Sequence, residues 1–354
     1  MVDQREQVWL IAAHDQVVEV LKNNSLFRSS ELLDSERDGV RGRLVDANMQ
    51  RSDGADHARF RAVADSNAVA AALAPHRQWF EETVKAFWKG LTAKQGVDIC
   101  ELLIQPLAAR LFARMAGLDE AAASALTDWS LALAAKDAPA LTRTPYEKIT
   151  MFMEMRRAFR KAAADGPPSW SLIAKIEAGC ERGSLTREEA DSFYALLVTA
   201  GVQTLASTFS GWVAAFAGQE ALPEAAIPAA IEEMLRLCTP AAQFDRFVNV
   251  DTELGGASLK AGERIVVLLG AANLDHRVFI EPDRIDPGRR NIKSHLAFGT
   301  GRHFCLGARA AREAAFWFAM SSYPHLCRAK MRGSSFHGSA HVPGHSSLLI
   351  EVDS

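Results

Sequence analysis

One cysteine stands in a glycine-punctuated run, Phe298-Gly299-Thr300-Gly301-Arg302-His303-Phe304-Cys305-Leu306-Gly307, which leads straight into Ala308-Arg309-Ala310-Ala311-Arg312-Glu313-Ala314-Ala315-Phe316. The second stretch is rich in strong helix formers and holds no breaker, so Cys305 falls at or just before a helix N-terminus. Unpaired N–H groups and the helix dipole favour an anion there. A lowered thiol pKa is therefore expected, with thiolate, the form that ligates metal, favoured. Gly299, Gly301 and Gly307 remove side chains on both sides of the sulfur and let a large flat ligand approach the backbone. A lone cysteine with no second Cys two residues away suits iron porphyrin held by one axial thiolate. A buried structural cysteine among turn glycines is the plainer alternative.

Two further groupings carry chemistry-bearing side chains. His57 and Arg61 lie four apart, on one face of a helix if Asp53 to Arg61 is helical. A capping box, Thr186-Arg187-Glu188-Glu189, opens a long apolar stretch through Phe193, Leu196, Leu197, Leu205, Phe209, Trp212 and Phe216. In its middle is Ala200-Gly201-Val202-Gln203-Thr204, where a threonine hydroxyl either serves a ligand or bonds back to its own turn.

Phe-Gly-x-Gly-x-His-x-Cys-x-Gly at 298–307 resembles the haem-binding signature of the cytochrome P450 family of haem-thiolate monooxygenases, in its soluble bacterial form. Glu233-x-x-Arg236 followed by Thr239-Pro240 resembles the family's second signature, and residues 200–204 resemble the oxygen-activating turn of its central I helix, here about 186–216. The resemblance covers roughly residues 8 to 352. It implies a mainly α fold, a triangular-prism helical domain with a small β-sheet region. It implies haem b (iron protoporphyrin IX) on Cys305, framed by Phe298, Gly299 and Gly307, with propionates held by His57, Arg61, Arg246 and His303. Ala200, Gly201, Gln203 and Thr204 fall at the distal oxygen site, Gly201 loosening the helix and Thr204 holding water or donating. Gln203 departs from the usual Asp or Glu, and an amide cannot move a proton by ionising. Arg289 is expected to join Glu233 and Arg236 in a buried structural network.

The activity implied is insertion of oxygen from O2 into a small organic substrate, in secondary metabolism or catabolism. Electrons would come from ferredoxin and ferredoxin reductase. Another oxidative outcome (coupling, dehydrogenation, peroxide-driven chemistry) and a haem-binding protein without turnover are the alternatives. Arg309 and Arg312 suggest either a docking patch or a solvated helix face.

The elements that position these residues follow from pattern. Val8 to Ala12 reads as a strand, with Asp15 capping the helix that follows. Ser30 to Asp53 reads as a long loop. Phe80–Leu91, Leu103–Met115, Ala121–Ala135 and Tyr146–Ala164 read as helices, the last two separated by a break at 137–145, which resembles the family's lid over the substrate cavity. Met151, Met153 and Met155 read as packing residues of the last helix, with a substrate-facing role as the alternative. A hairpin is expected over Glu253 to Glu263. The sequence lacks a family leader of a few dozen residues and so reads as N-terminally shortened.

No linker or composition shift divides the 354 residues, so 1–354 is read as one domain. A net charge of −3 offers no broad attraction to nucleic acid or anionic membrane. Five scattered cysteines and a charged opening, Met1 to Glu6, suit a reducing cytoplasm without a signal peptide or anchor helix.

Overall fold

The computed structural model describes residues 8–30, 48–91, 96–134 and 144–352. The chain begins with β1 (Val8–Ile11), α1 (His14–Lys22) and β2 (Phe27–Arg28). Asp15 does not cap α1: Ala13 is the cap residue, and the Asp15 carboxylate instead accepts from the Gln16 N–H inside the first turn. The loop expected from Ser30 lies, over 31–47, outside the described residues.

Next come α2 (Gly54–Val63), α3 (Ser66–Leu73), α4 (Arg77–Gly90) and β3 (Gly96–Asp98). The helix expected from Leu103 enters through a wide π turn, Cys100–Ile104, before α5 (Gln105–Ala116). Then follow α6 (Glu120–Ala134), α7 (Pro145–Ala164) and α8 (Leu172–Glu181). The break between α6 and α7 lies, over 135–143, outside the described residues. Met155 is fully buried beside Phe159 and Met151 packs at the same cluster, whereas Met153 is exposed.

The organising element is α9 (Arg187–Phe216), 30 residues long. Its capping box is real: Thr186 Oγ1 accepts from the Glu189 N–H, and the Glu189 carboxylate accepts from the Thr186 N–H. By length and composition alone α9 would be apolar enough to cross a membrane, but it is core. Its N-terminal half packs Phe193, Tyr194, Val198 and Val202 against α6, α7 and α8, and its C-terminal half packs Phe209, Trp212 and Val213 into the main cluster.

The second half continues with α10 (Ile227–Cys238), β4 (Gln243–Val248), β5 (Thr252–Leu254), β6 (Ala257–Leu259), β7 (Arg264–Leu268) and α11 (Leu269–Ala272). The expected hairpin is β5–β6, turned by Gly255 and Gly256 at φ 57° and 82°, values a side chain disfavours. The chain closes with α12 (Ala308–Leu326), β8 (Ala329–Phe336) and β9 (His345–Val352).

The sheets are small. One has the order β1-β7-β4-β2, with β1 parallel to β7 and the other pairs antiparallel, and a second has the order β3-β9-β8. Helices therefore carry the bulk of the core, and the four-stranded sheet carries Arg246 on β4 beside β7, whose neighbour α1 meets the cysteine loop at 301–303.

Candidate active site

The cysteine loop is a closed turn. The Cys305 N–H donates to the Phe298 carbonyl at 3.0 Å, the Phe304 N–H to Gly301 O at 3.1 Å, and Gly307 caps α12, whose Ala311 N–H reaches back to Gly307 O at 2.8 Å. The three glycines divide their tasks. At Gly301, with φ 75°, a Cβ would come within 2.5 Å of the Leu21 carbonyl, so this glycine lets α1 pass. At Gly299, with φ 67°, a Cβ would meet nothing within 4 Å, and at Gly307 it would meet only the Cys305 sulfur at 3.9 Å. Open space thus remains at Gly299 and beside the sulfur at Gly307, and Gly301 does not contribute to it.

The lowered thiol pKa expected from the helix end is not what the site gives. Burial pushes the Cys305 thiol up, and the N–H groups of Gly307 and Ala308 with the charges of Arg61 and Arg312 only partly oppose it. Desolvation outweighs the helix end.

One side of the loop gathers the polar residues. The His57 and His303 rings meet edge-on at 4.4 Å between centroids, Arg61 Nη1 donates to Phe304 O at 3.2 Å, and Arg302 Nη1 reaches Gly54 O at 3.4 Å. His303 Nε2 lies 3.0 Å from Asp53 Oδ1 and 2.9 Å from Ser29 Oγ. Burial holds His57 down at about 4, helped by the neighbouring His303, Arg61 and Arg302. Burial pushes the Asp53 carboxyl up, but the hydrogen bonds from His303 and Ser29 prevail and hold it at about 2.

Arg246 is the sharpest sign of a missing anion. Only 4% of the residue is exposed, Nη1 donates to the Asp245 carbonyl at 2.7 Å, and Nε has no partner among the described residues. Burial lowers its pKa to about 10 against the pull of Asp53 and Asp245. A buried guanidinium with an idle donor is costly unless a carboxylate or phosphate completes it. A flat group with acidic arms, coordinated by a thiolate, fits these residues: sulfur at Cys305, clearance at Gly299 and Gly307, and cationic or hydrogen-bonding partners at Arg246, Arg61, His57 and His303.

The side chains of the α9 turn go to different partners. Thr204 Oγ1 donates to Ala200 O at 2.5 Å, which commits its proton to the helix and leaves its lone pairs to accept. Gln203 is 2% exposed and turns toward α6, where Nε2 donates to Ser130 Oγ at 2.8 Å. Gly201 also has a packing reason: a Cβ there would lie 2.6 Å from the Phe112 ring of α5.

The structural network expected at Glu233 is present. Arg236 forks onto it with Nε–Oε1 at 2.9 Å and Nη2–Oε2 at 3.1 Å, and Arg289 Nε reaches Oε1 at 2.9 Å. Arg309 is exposed and its Nη1 donates to Asn67 Oδ1 at 3.2 Å, whereas Arg312 is held by Glu232. Asp53, Ser29, Ser130 and Glu232 escaped the sequence reading. Among them, only the doubled acid Glu232-Glu233 left a local signal.

The cysteine loop at the N-terminus of α12, the long α9 and the Glu-Arg-Arg network coincide with the three stretches that resemble haem-thiolate monooxygenases. The chain is similar to the cytochrome P450 family: the model described as Cytochrome P450 matches residues 226–321. A steroid C26-monooxygenase of Rhodococcus jostii is 27% identical over 318 residues, 86% of this chain and 66% of the relative, so the match spans just under two thirds of that protein. The biotin biosynthesis cytochrome P450 of Bacillus subtilis is 28% identical over 271 residues, covering 73% of this chain and 67% of the relative. Among solved structures, CYP109E1 from Bacillus megaterium in complex with testosterone superposes with a TM-score of 0.84 at 26% identity, over 98% of this chain and 93% of that one. Enzymes of this class contain haem, take electrons from redox partners and bind small substrates.

Proposed function

We propose that residues 1–354 form a single domain that binds haem b through Cys305 and inserts one atom of O2 into a small, largely apolar organic molecule. The second oxygen atom leaves as water, which takes two electrons and two protons per turnover. Ferredoxin with ferredoxin reductase supplies the electrons, and the reaction belongs to bacterial secondary metabolism or catabolism in the cytoplasm. When bound, the haem supplies the oxidising centre, and the Cys305 thiolate pushes electron density toward it to favour O–O cleavage.

The chain's own residues do the rest. Arg246, Arg61, His57 and His303 hold the acidic arms, and the unpartnered Arg246 Nε is the observation that carries this reading. Phe298, Gly299 and Gly307 shape the bed for the macrocycle. Thr204, its proton given to Ala200 O, accepts from a water and orients it toward the oxygen that must be protonated. The relatives named for steroids make steroid-like polycycles the first substrates to screen, with testosterone as a probe.

The test is spectroscopic. The reduced protein with carbon monoxide should absorb at the long wavelength diagnostic of thiolate ligation, and Cys305→Ala should remove that band. An imidazole-type spectrum in the wild type sinks the reading.

A further inference from the structure

Glu232 and Glu233 are neighbours on α10, yet their carboxylates serve separate networks. Glu233 faces Arg236 and Arg289. Glu232 faces α12, where Arg312 grips it with two parallel bonds, Nε to Oε1 at 2.7 Å and Nη2 to Oε2 at 2.9 Å. His295 Nε2 lies 2.8 Å from the same Oε2. Burial works against the Glu232 charge, but the bonds from His295 and Arg312 hold its carboxyl at about 2, so the fork stays ionic.

The other side of the guanidinium is also committed. Arg312 Cζ lies over the Phe298 ring, 4.3 Å from its centroid. Phe298 is the residue whose carbonyl receives the Cys305 N–H, and its ring packs toward Phe304 at 6.4 Å. One planar cation therefore spends its edge on Glu232 and its face on Phe298, a combination that an ammonium cannot reproduce.

We propose that the Glu232–Arg312 pair is a positioning clamp for the cysteine loop: it presses Phe298 into place so that the Phe298 carbonyl keeps the Cys305 N–H and the sulfur keeps its aim. Both residues act through Phe298 and the loop it opens. The clamp rests on the assignment of Cys305 as haem ligand. It also separates Arg312 from Arg309, whose guanidinium is exposed on the same helix.

The experiment follows the ferrous carbon-monoxide complex of the holoenzyme in mild urea and measures how fast the long-wavelength thiolate band converts to the short-wavelength band of a lost thiolate. Arg312→Met removes a positive charge and Glu232→Gln removes a negative one, so an effect set by field alone would move the rate in opposite senses. The clamp requires both to speed conversion, each by roughly tenfold, as expected for loss of a charge-assisted fork. Arg312→Lys keeps the charge without the fork or the stack and should also convert faster, while Arg309→Ala should match the wild type. Opposite changes, unchanged rates, or a wild-type rate in Arg312→Lys overturn the clamp, as does an Arg309→Ala effect equal to that of Arg312→Met. Glu232→Gln and Arg312→Lys are close enough in shape to fold if Arg312→Met does not. Absence of the long-wavelength band in the wild type overturns the haem-thiolate assignment and the clamp with it; an intact band with unchanged conversion overturns the clamp alone.

Discussion

His303 Nε2 lies 3.0 Å from Asp53 Oδ1, and this contact ties the cysteine loop to the residue that opens α2. Asp53 occupies the cap position of α2 but makes no side-chain cap bond. Its oxygens go instead to His303, to the Ser29 N–H at 2.7 Å and to Asn24 Nδ2 at 3.3 Å. A carboxylate that has left its helix for a histidine fixes which ring nitrogen faces it, and so which one remains for a ligand.

Haem retention should therefore depend on Asp53 although Asp53 holds no haem. Asp53→Asn replaces a charged acceptor by an amide, and charge-assisted bonds of this kind contribute about 1.5–3 kcal/mol. Transfer of haem to an apoprotein acceptor should speed by roughly ten- to a hundredfold, with the thiolate band unshifted. Asp56→Asn, which removes an exposed partner of Arg59, should leave the transfer rate alone. Equal rates in wild type and Asp53→Asn would exclude this role.

Acid should unfold the haem-free protein in two limbs. His57 is held at about 4 against an ordinary 6.5, so between those values the unfolded chain binds a proton that the folded one refuses, and stability falls as pH drops. Asp53 and Glu232, both held at about 2, contribute stability that is present above their ordinary 3.8 and 4.5 and is lost as pH falls through 2. The His57 limb amounts to no more than about 3 kcal/mol. Denaturant midpoints at pH 7, 5.5 and 4 should fall in the wild type and fall less steeply in His57→Gln. The remainder comes from His76, His303, His325, His337 and His345, which burial also holds below the ordinary histidine value. Bound haem should shrink this limb, because its acidic arms favour the imidazolium. A wild-type midpoint that does not move between pH 7 and 4 would rule the limb out.

What could be read in the sequence was local. The capping box at Thr186–Glu189 is set by residues three apart, the cysteine turn by one decapeptide, and Glu233–Arg236 by a single helical turn. Arg289 came in only through resemblance. The misses have two physical sources. Asp53–His303 and Glu232–Arg312 join residues far apart in the chain, and no periodicity announces them. At Gly201 and Gln203 the residue types were legible but the direction was not. Which way a helix turns its side chains depends on neighbours such as Phe112 and Ser130, and both meet α9 only after packing. Cys305 is a third kind of case. The helix end was placed correctly, but its effect on the thiol was overtaken by a burial that sequence does not reveal.

The proton path can be tested on the two α9 residues separately. Thr204 has given its proton to the Ala200 carbonyl and keeps its lone pairs for water, so Thr204→Ala removes an acceptor without leaving a buried donor unpaired. Positioned proton-transfer groups contribute about 10²–10⁴-fold in rate, and a lost anchor should appear as electrons spent on peroxide or water instead of product. Gln203 differs. Ser130 Oγ already donates to the Thr127 carbonyl at 2.8 Å and can only accept from the Gln203 amide. In Gln203→Glu a buried carboxylate would face that acceptor with no donor of its own once ionised, which raises its pKa and costs about 1–3 kcal/mol of stability. Restoring the acid at 203 should therefore lower the melting temperature and leave coupling unimproved. The measurement is product formed per NADPH consumed, beside thermal unfolding, for wild type, Thr204→Ala, Thr204→Ser and Gln203→Glu. Thr204→Ser should couple nearly as wild type and Thr204→Ala poorly. Wild-type coupling in Thr204→Ala removes the hydroxyl from the path, and improved coupling in Gln203→Glu means that residue 203 turns from Ser130 toward the oxygen site during turnover.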